Sequence, residues 1–149
     1  MATCRIEGLD ELIEEMDRWE GEIEPLFEEM TLTGAEMVKD AWKEAAEKHQ
    51  LKDTGAMIKS IDFDKTIKKR GGRMLSYIYP RGMQRFTTKG GKLIRRKRPV
   101  RLATVAFVRH YGTKQRAATF FVDDADKLAA ERIPEKLVDR WKAFLRSGR

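Results

Sequence analysis

Cysteine is nearly missing from this chain: 149 residues hold one, Cys4. An internal disulfide framework is excluded, and a reducing, cytosolic setting is the natural expectation. Histidine is almost as scarce, with only His49 and His110, far apart in sequence. Without a second Cys or a closely spaced His pair, no zinc-binding pattern is present. No apolar run approaches the ~20 residues of a membrane helix. The opening MATCRIEGLDELIEE is acidic and lacks the basic-then-apolar order of a secretory signal, so synthesis in the cytoplasm and no membrane partner are expected. The most telling absence is regional: residues 65–122 contain not one Asp or Glu.

What is present follows from that gap. Residues 1–64 carry 18 acidic and 7 basic side chains, and residues 65–122 carry 17 basic ones. Residues 123–149 are nearly balanced, with 6 acidic and 7 basic, and the whole chain has a formal charge of +7. The middle of the chain will project a positive field wherever it folds. Its densest part is LIRRKRPVR, residues 93–101, with Arg95, Arg96, Lys97, Arg98 and Arg101. With 41% hydrophobic residues, the chain suits one domain, 1–149, with a genuine core.

Periodicity places the elements. Thr3 to Glu7 reads as a short edge strand. Leu9, Leu12, Ile13 and Met16 recur at helical spacing, so Gly8 to Trp19 reads as an amphipathic helix broken by Gly21. Pro25 suits the first turn of a second helix, whose apolar face includes Leu26, Met30, Val38, Ala41, Trp42 and Ala45 and which runs to about His49. Gly34 weakens it by about 1 kcal/mol relative to Ala. Asp53 or Thr54 can cap a short helix from Gly55 to Ser60. Strands are expected around Ile61–Ile67 and Met74–Tyr79, turned at Gly71-Gly72. Residues 81–99, with Gly82, Gly90, Gly91 and Pro99, read as a long basic loop or an extended hairpin arm. Leu102 to Tyr111 fits either a strand by propensity or a helix by spacing, with Gly112 as its stop. ATFFV, residues 118–122, reads as a strand, and Asp123 to about Leu145 as a final helix kinked or broken at Pro134. The fold class is α+β: N-terminal helices and a C-terminal helix packed on a small antiparallel sheet.

Catalytic chemistry finds little to work with. Cys4 has no local His, and His110 sits in an apolar segment where packing explains it. His49 ends a charged helix, where its cation would favour the helix dipole. RGGR and KGGK lack the strand-to-helix setting of a phosphate loop and read as turns. The acidic run ELIEEMDRWEGEIEPLFEE has no Asp-x-Asp loop and reads as a solvated or partner-facing surface. No catalytic residue, metal or cofactor is therefore assigned. The basic stretch could hold phosphates without reading sequence, with Phe86, Tyr77 and Tyr79 near enough in sequence to stack on bases. No helix-turn-helix, zinc finger or RNA-recognition signature accompanies it.

Two blocks carry a resemblance. DTGAMIKSI, residues 53–61, resembles an Asp/Arg-Thr-Gly-x-Leu-x-x-Ser-Ile element, and PVRLATVAFVRHYGTKQRAATFFVDDA, residues 99–125, resembles an Ala-x-x-Ala-aromatic-Val-x-(Glu/His)-aromatic-Gly-Thr block followed by a Phe and an Ala-headed helix. Both are similar to motifs of phage tail-component proteins, the family named for gene product ten of an HK-type lambdoid phage. The usual Ala-Arg-Pro-Phe is here Ala117-Ala118-Thr119-Phe120, without the proline, and His110 stands where glutamate is common. The resemblance implies a helix for Leu102 to Tyr111. It also marks Thr54, Gly55, Ser60, Ile61, Tyr111, Gly112, Thr113 and Phe120 as structural motif positions.

The function implied is a non-enzymatic virion part at the head–tail junction, made in the host bacterial cytoplasm. It would be a neck or tail-completion ring subunit joining the head connector to the tail. Its expected partners are copies of itself, head-completion or connector proteins, and tail tube or tail terminator proteins. Arg95, Arg96, Lys97, Arg98 and Arg101 then take one of two places, against a neighbouring subunit or along the lumen in non-specific contact with DNA. Opposite charges on the two halves suit heterologous contacts between subunits. The alternatives are a tail terminator subunit of the same assembly and a small basic nucleic-acid-binding protein.

Overall fold

The computed structural model describes residues 9–51, 55–85 and 98–147. Cys4, the expected strand at Thr3 to Glu7, the caps Asp53 and Thr54, and Arg95, Arg96 and Lys97 lie outside the described residues. The order is α1 (Leu9–Lys48), α2 (Ala56–Lys59), β1 (Ile61–Phe63), β2 (Lys68–Arg70), β3 (Arg73–Leu75), β4 (Ile78–Pro80), β5 (Met83–Gln84), β6 (Val100–Arg101), α3 (Leu102–Tyr111) and α4 (Phe121–Ser147). This is the expected α+β class.

The two expected N-terminal helices are one. Helix α1 runs 40 residues through both Gly21 and Pro25. Proline inside a helix removes one hydrogen bond and crowds the carbonyl four residues earlier. Here that residue is Gly21. Packing against α4 then outweighs the local cost. Ala41 and Ala45 are fully buried against Ala125 and Ala129 of α4, so two small-residue faces bring the helix backbones together. Further along, Phe27 stacks on Trp141 at 6.1 Å and Arg140 clasps Glu29 through two hydrogen bonds of 2.6 and 2.8 Å. Arg132 reaches Glu44 in the same way. Helix α4 likewise runs through Pro134 rather than breaking there.

Helix α1 stops where a Schellman turn takes over. Gln50 adopts φ 53°, and the Gln50 and Leu51 N–H groups donate back to Glu47 and Ala46. Leu51 then enters the main core with Met57, Ile58, Leu102, Ala106 and Phe121. Trp42 packs against this cluster, its ring edge-on to Phe121 at 6.0 Å.

The single small sheet becomes three separate two-stranded antiparallel ladders among the described residues. Strands β2 and β3 meet at Gly71-Gly72, both at positive φ as a two-residue hairpin turn demands. The expected strand over Met74–Tyr79 is split, because its halves have different partners. β3 pairs with β2, while β4 pairs with β1 in the register Ile61↔Pro80 and Phe63↔Ile78. Between them the Ser76 hydroxyl donates to the Asp64 carbonyl, and the Asp64 N–H donates to the Tyr77 carbonyl. β5 pairs with β6, Met83↔Arg101 and Gln84↔Val100, while residues 86–97, most of the expected basic loop or hairpin arm, lie outside the described residues.

ATFFV is not a strand. Residues 118–120 are irregular, and α4 already begins at Phe121, whose side chain is completely buried. Among the described residues, no helix is long and apolar enough to cross a membrane.

Gly21 is helical, exposed and has open space where a Cβ would sit. Gly21→Ala should therefore raise unfolding free energy by about 0.5–1 kcal/mol, measured as a higher urea midpoint at unchanged slope.

Candidate functional site

The second sequence block folds into one corner around α3. Leu102, Ala106 and His110, each four residues apart, form its buried stripe. That spacing, met by apolar neighbours on α2 and α4, overrides the strand propensity of Val and Phe. Phe107 and Tyr111 stand one stripe further round. They are 63% and 60% exposed, with ring centroids 4.7 Å apart.

The helix ends where only glycine fits. Gly112 has φ 77° and ψ −173°, and a Cβ there would lie 2.7 Å from the backbone of both Arg116 and Ala118. Thr113 to Arg116 form a tight turn closed by mutual backbone hydrogen bonds of 2.8 and 3.1 Å. The chain then returns along the end of α3. The Thr119 N–H and hydroxyl both donate to the Arg109 carbonyl, and the Phe120 N–H donates to the His110 carbonyl. These bonds satisfy acceptors that a helix C-terminus leaves open.

Phe120 and Phe121 divide the work between surface and core. Phe120 adopts φ 50°, is 51% exposed, and its carbonyl receives the N–H groups of Asp123 and Asp124 at the start of α4. The sequence reading placed the corner on Phe120, but the aromatic anchor in the core is Phe121. A buried residue directly after an exposed one is what a loop-to-helix junction requires, and no strand pattern in ATFFV predicts it.

His110 holds the corner together. It is 7% exposed, its Nδ1 accepts from the Val122 N–H at 3.4 Å, and its Nε2 lies 3.8 Å from an Asp123 carboxylate oxygen. Its ring meets Tyr111, Phe120 and Phe121 edge-on at 4.3, 5.7 and 5.9 Å. Phe107, Tyr111, His110 and Phe120 thus form one continuous aromatic patch. Beside it lies a cavity of about 240 Å³ lined by Trp42, Tyr79, Pro80, Ala106, Phe107 and Tyr111 among others. Among the described residues, Trp42 Nε1 is buried without a hydrogen-bond partner.

Cations border the corner. Arg101 in β6 and Arg98 just before it are exposed at the foot of α3, while Lys114 and Arg116 are exposed beyond its other end. Burial holds the Arg109 guanidinium below its ordinary pKa, and the neighbouring charge of Arg116 adds to that. The described part of the first block forms α2 and the start of β1. Gly55 caps α2 at φ 67°, the Ser60 hydroxyl donates to the Met57 carbonyl, and Ile61 is buried at the start of β1. The structure therefore brings Tyr111, Gly112, Thr113 and Phe120 together, and leaves Gly55, Ser60 and Ile61 in the supporting layer.

The acids of α1 are partly answered within the chain. Besides Arg132 and Arg140, Lys69 of β2 pairs with Glu28 at 2.9 Å and with Glu24. The hydrogen bonds from Arg140 and Arg132 hold Glu29 and Glu44 below the usual carboxylate range. At the end of α1, His49 Nε2 lies 2.8 Å from Asp124 of α4. That hydrogen bond is the main reason the Asp124 carboxyl is depressed, with the charge of Lys127 contributing less. Among the described residues, no three His, Cys, Asp or Glu side chains gather as metal ligands.

No family model, curated protein or solved structure matches this chain. Its function is therefore argued from the corner and from the two sequence blocks.

Gly112→Ala should lower stability by about 2–4 kcal/mol in urea titrations, because backbone and not a flexible side chain must move aside. The Asp124 tie has a defined pH sign. A depressed carboxyl stabilises above its unfolded pKa, and that contribution is lost as pH falls through the folded value. The melting-temperature difference between the parent chain and Asp124→Asn should accordingly shrink as pH falls below about 4.

Proposed function

We propose that this protein is a structural, non-enzymatic subunit of a phage head–tail junction, a neck or tail-completion ring component. The aromatic patch of Phe107, Tyr111 and Phe120 is the observation that carries this reading. Phe107 and Tyr111 are adjacent and exposed, and Phe120 joins them through the buried His110 ring; exposed aromatic surface of this kind marks a contact site, and it is built from the block that resembles the phage family. Beneath Tyr111 and Phe120 the backbone is tied by the turn after Gly112 and by the hydrogen bonds of Thr119 and Phe120 to the end of α3. A subunit that must meet identical neighbours in one geometry needs such a fixed surface.

Charge supports the same reading. Residues 65–122 have no acid of their own, so their cations find partners elsewhere. Lys69 finds them on α1, while Arg98 and Arg101 stand exposed at the base of the excursion. Exposed cations of this kind steer association and fix register more than they add affinity. Their partner in this reading is a neighbouring subunit or a junction protein.

Arg95, Arg96, Lys97 and Arg98 changed together to Ser should leave the melting temperature unchanged and impair the joining of heads to tails. Electron micrographs of lysates would then show separate full heads and finished tails, as they would for deletion of the gene. Normal particles after gene deletion would overturn the proposed function. Normal particles after the fourfold change alone would reduce the patch to a solvated loop.

A further inference from the structure

The acid-free segment puts its first cations on a hairpin, well apart in sequence from the basic run at 93–101. β2 and β3 pair in the register Lys68↔Leu75, Lys69↔Met74 and Arg70↔Arg73. Cross-strand partners share a face, and successive residues along a strand alternate between faces. Lys68, Arg70 and Arg73 therefore stand on one face with Leu75, and Lys69 stands on the other with Met74. The second face is turned to the body of the molecule, where Lys69 pairs with Glu24 and Glu28 of α1. The first is left to solvent. Lys68, Arg70 and Arg73 are all exposed, and among the described residues no acid pairs with any of them.

The surroundings reinforce the positive character of that face. Lys65 is exposed just before the hairpin. Asp62 and Asp64 share a surface depression with Lys65 and Lys68, but Arg81 engages them at 3.9 and 2.7 Å. At the tip, a Cβ on Gly71 or Gly72 would meet nothing within 4 Å, so the turn is open to close approach. The Lys68 ammonium lies over the Tyr77 ring, 4.7 Å from its centroid, and the Arg81 guanidinium lies over Tyr79 at 5.4 Å.

The make-up of the face selects its partner. The centre of a protein–protein interface is depleted of charge and enriched in apolar and aromatic side chains. Here cations hold the exposed positions, and the one apolar residue beside them, Leu75, is half-buried. Interfaces with DNA are polar and strongly positive. Single-strand binding adds aromatic platforms on which bases stack. Tyr77 and Tyr79 each carry a cation over a ring face, so neither is a bare platform of that kind. Phosphates remain, and a duplex presents them on its outside.

We propose that Lys68, Arg70 and Arg73, on the outer face of the β2–β3 hairpin, contact the phosphate backbone of duplex DNA without reading its sequence. The contact is distinct from the run Arg95 to Arg101 and does not depend on the chain being a ring subunit. Each phosphate that a cation meets releases condensed counterions, so the contact weakens as salt rises.

The test titrates the full chain against short duplexes of two unrelated sequences, by fluorescence anisotropy, from about 0.05 to 0.2 M salt. The parent should bind both sequences alike. Lys68→Ser, Arg70→Ser and Arg73→Ser together should keep the parent melting temperature, weaken binding about tenfold or more, and lower the slope of log affinity against log salt by about 3. Lys136→Ser, Lys142→Ser and Arg146→Ser together remove the same charge from exposed positions on α4 and should leave that slope unchanged. Equal losses in the two triple variants would reduce the effect to net charge and overturn the proposal. So would an unchanged slope in the hairpin variant, or no binding by the parent at about 0.05 M salt. Poly-glutamate competing as well as duplex at equal charge would overturn it too, in favour of an acidic protein partner. The particle-joining experiment judges the ring reading separately.

Discussion

The close approach of α1 and α4 is the constraint on which the other elements depend. Ala41 and Ala45 against Ala125 and Ala129 bring the two long helices together, with Val38, Trp42, Leu128 and Ile133 packed around that contact. Trp42 and Phe121 lie at the edge of that seam and lead into the main core, where Leu51, Met57, Leu102 and Ala106 gather. The Arg140–Glu29 and Arg132–Glu44 pairs flank the seam in solvent, and exposed pairs of this kind contribute only about 0–1 kcal/mol. They join the turn of α1 at Glu29 to that of α4 at Arg140, and Glu44 to Arg132. Because α4 starts at Phe121, that register also sets where the end of α3 must lie.

Much of the fold was legible in the sequence because local pattern and tertiary packing agree there. The Gly71-Gly72 hairpin, the stop after Tyr111 and the apolar stripes of the two long helices all follow from residue chemistry. The failures share a cause. Gly21, Pro25 and Pro134 are local signals to stop, and each was outweighed by helix packing contributed from a distant part of the chain. ATFFV has strand propensity, but the Phe120 N–H and the Thr119 donors are drawn to the open carbonyls of α3, which no local pattern could reveal. For Leu102 to Tyr111 the spacing of Leu102, Ala106 and His110 outweighed propensity, as the resemblance had implied.

The site was legible in outline only. Tyr111, Gly112, Thr113 and Phe120 were named together and do lie together. Phe107 was quoted within the block without a role, although two aromatics four residues apart in a helix share a face. Phe121 was missed because its neighbour Phe120 is chemically identical and only the helix boundary distinguishes them. The partners of Glu29, Glu44 and His49 were out of reach, being separated by 75 to 111 residues in sequence. Part of the charge asymmetry is answered within the fold, where Lys69 pairs with Glu24 and Glu28 and Arg81 with Asp64.

Helix α1 has one more consequence, which comes from its length. Forty residues make a rod of about 60 Å. Such a rod is a ruler. Whatever meets its first turns and whatever meets its last are held at a distance set by a residue count, not by the strength of either contact. Removing one residue between them would shorten the ruler by ~1.5 Å but turn one end by ~100° relative to the other. Removing seven would shorten it by ~10 Å and misalign the ends by only ~20°. The uninterrupted path through Gly21 and Pro25 therefore carries angular information from one end of the molecule to the other.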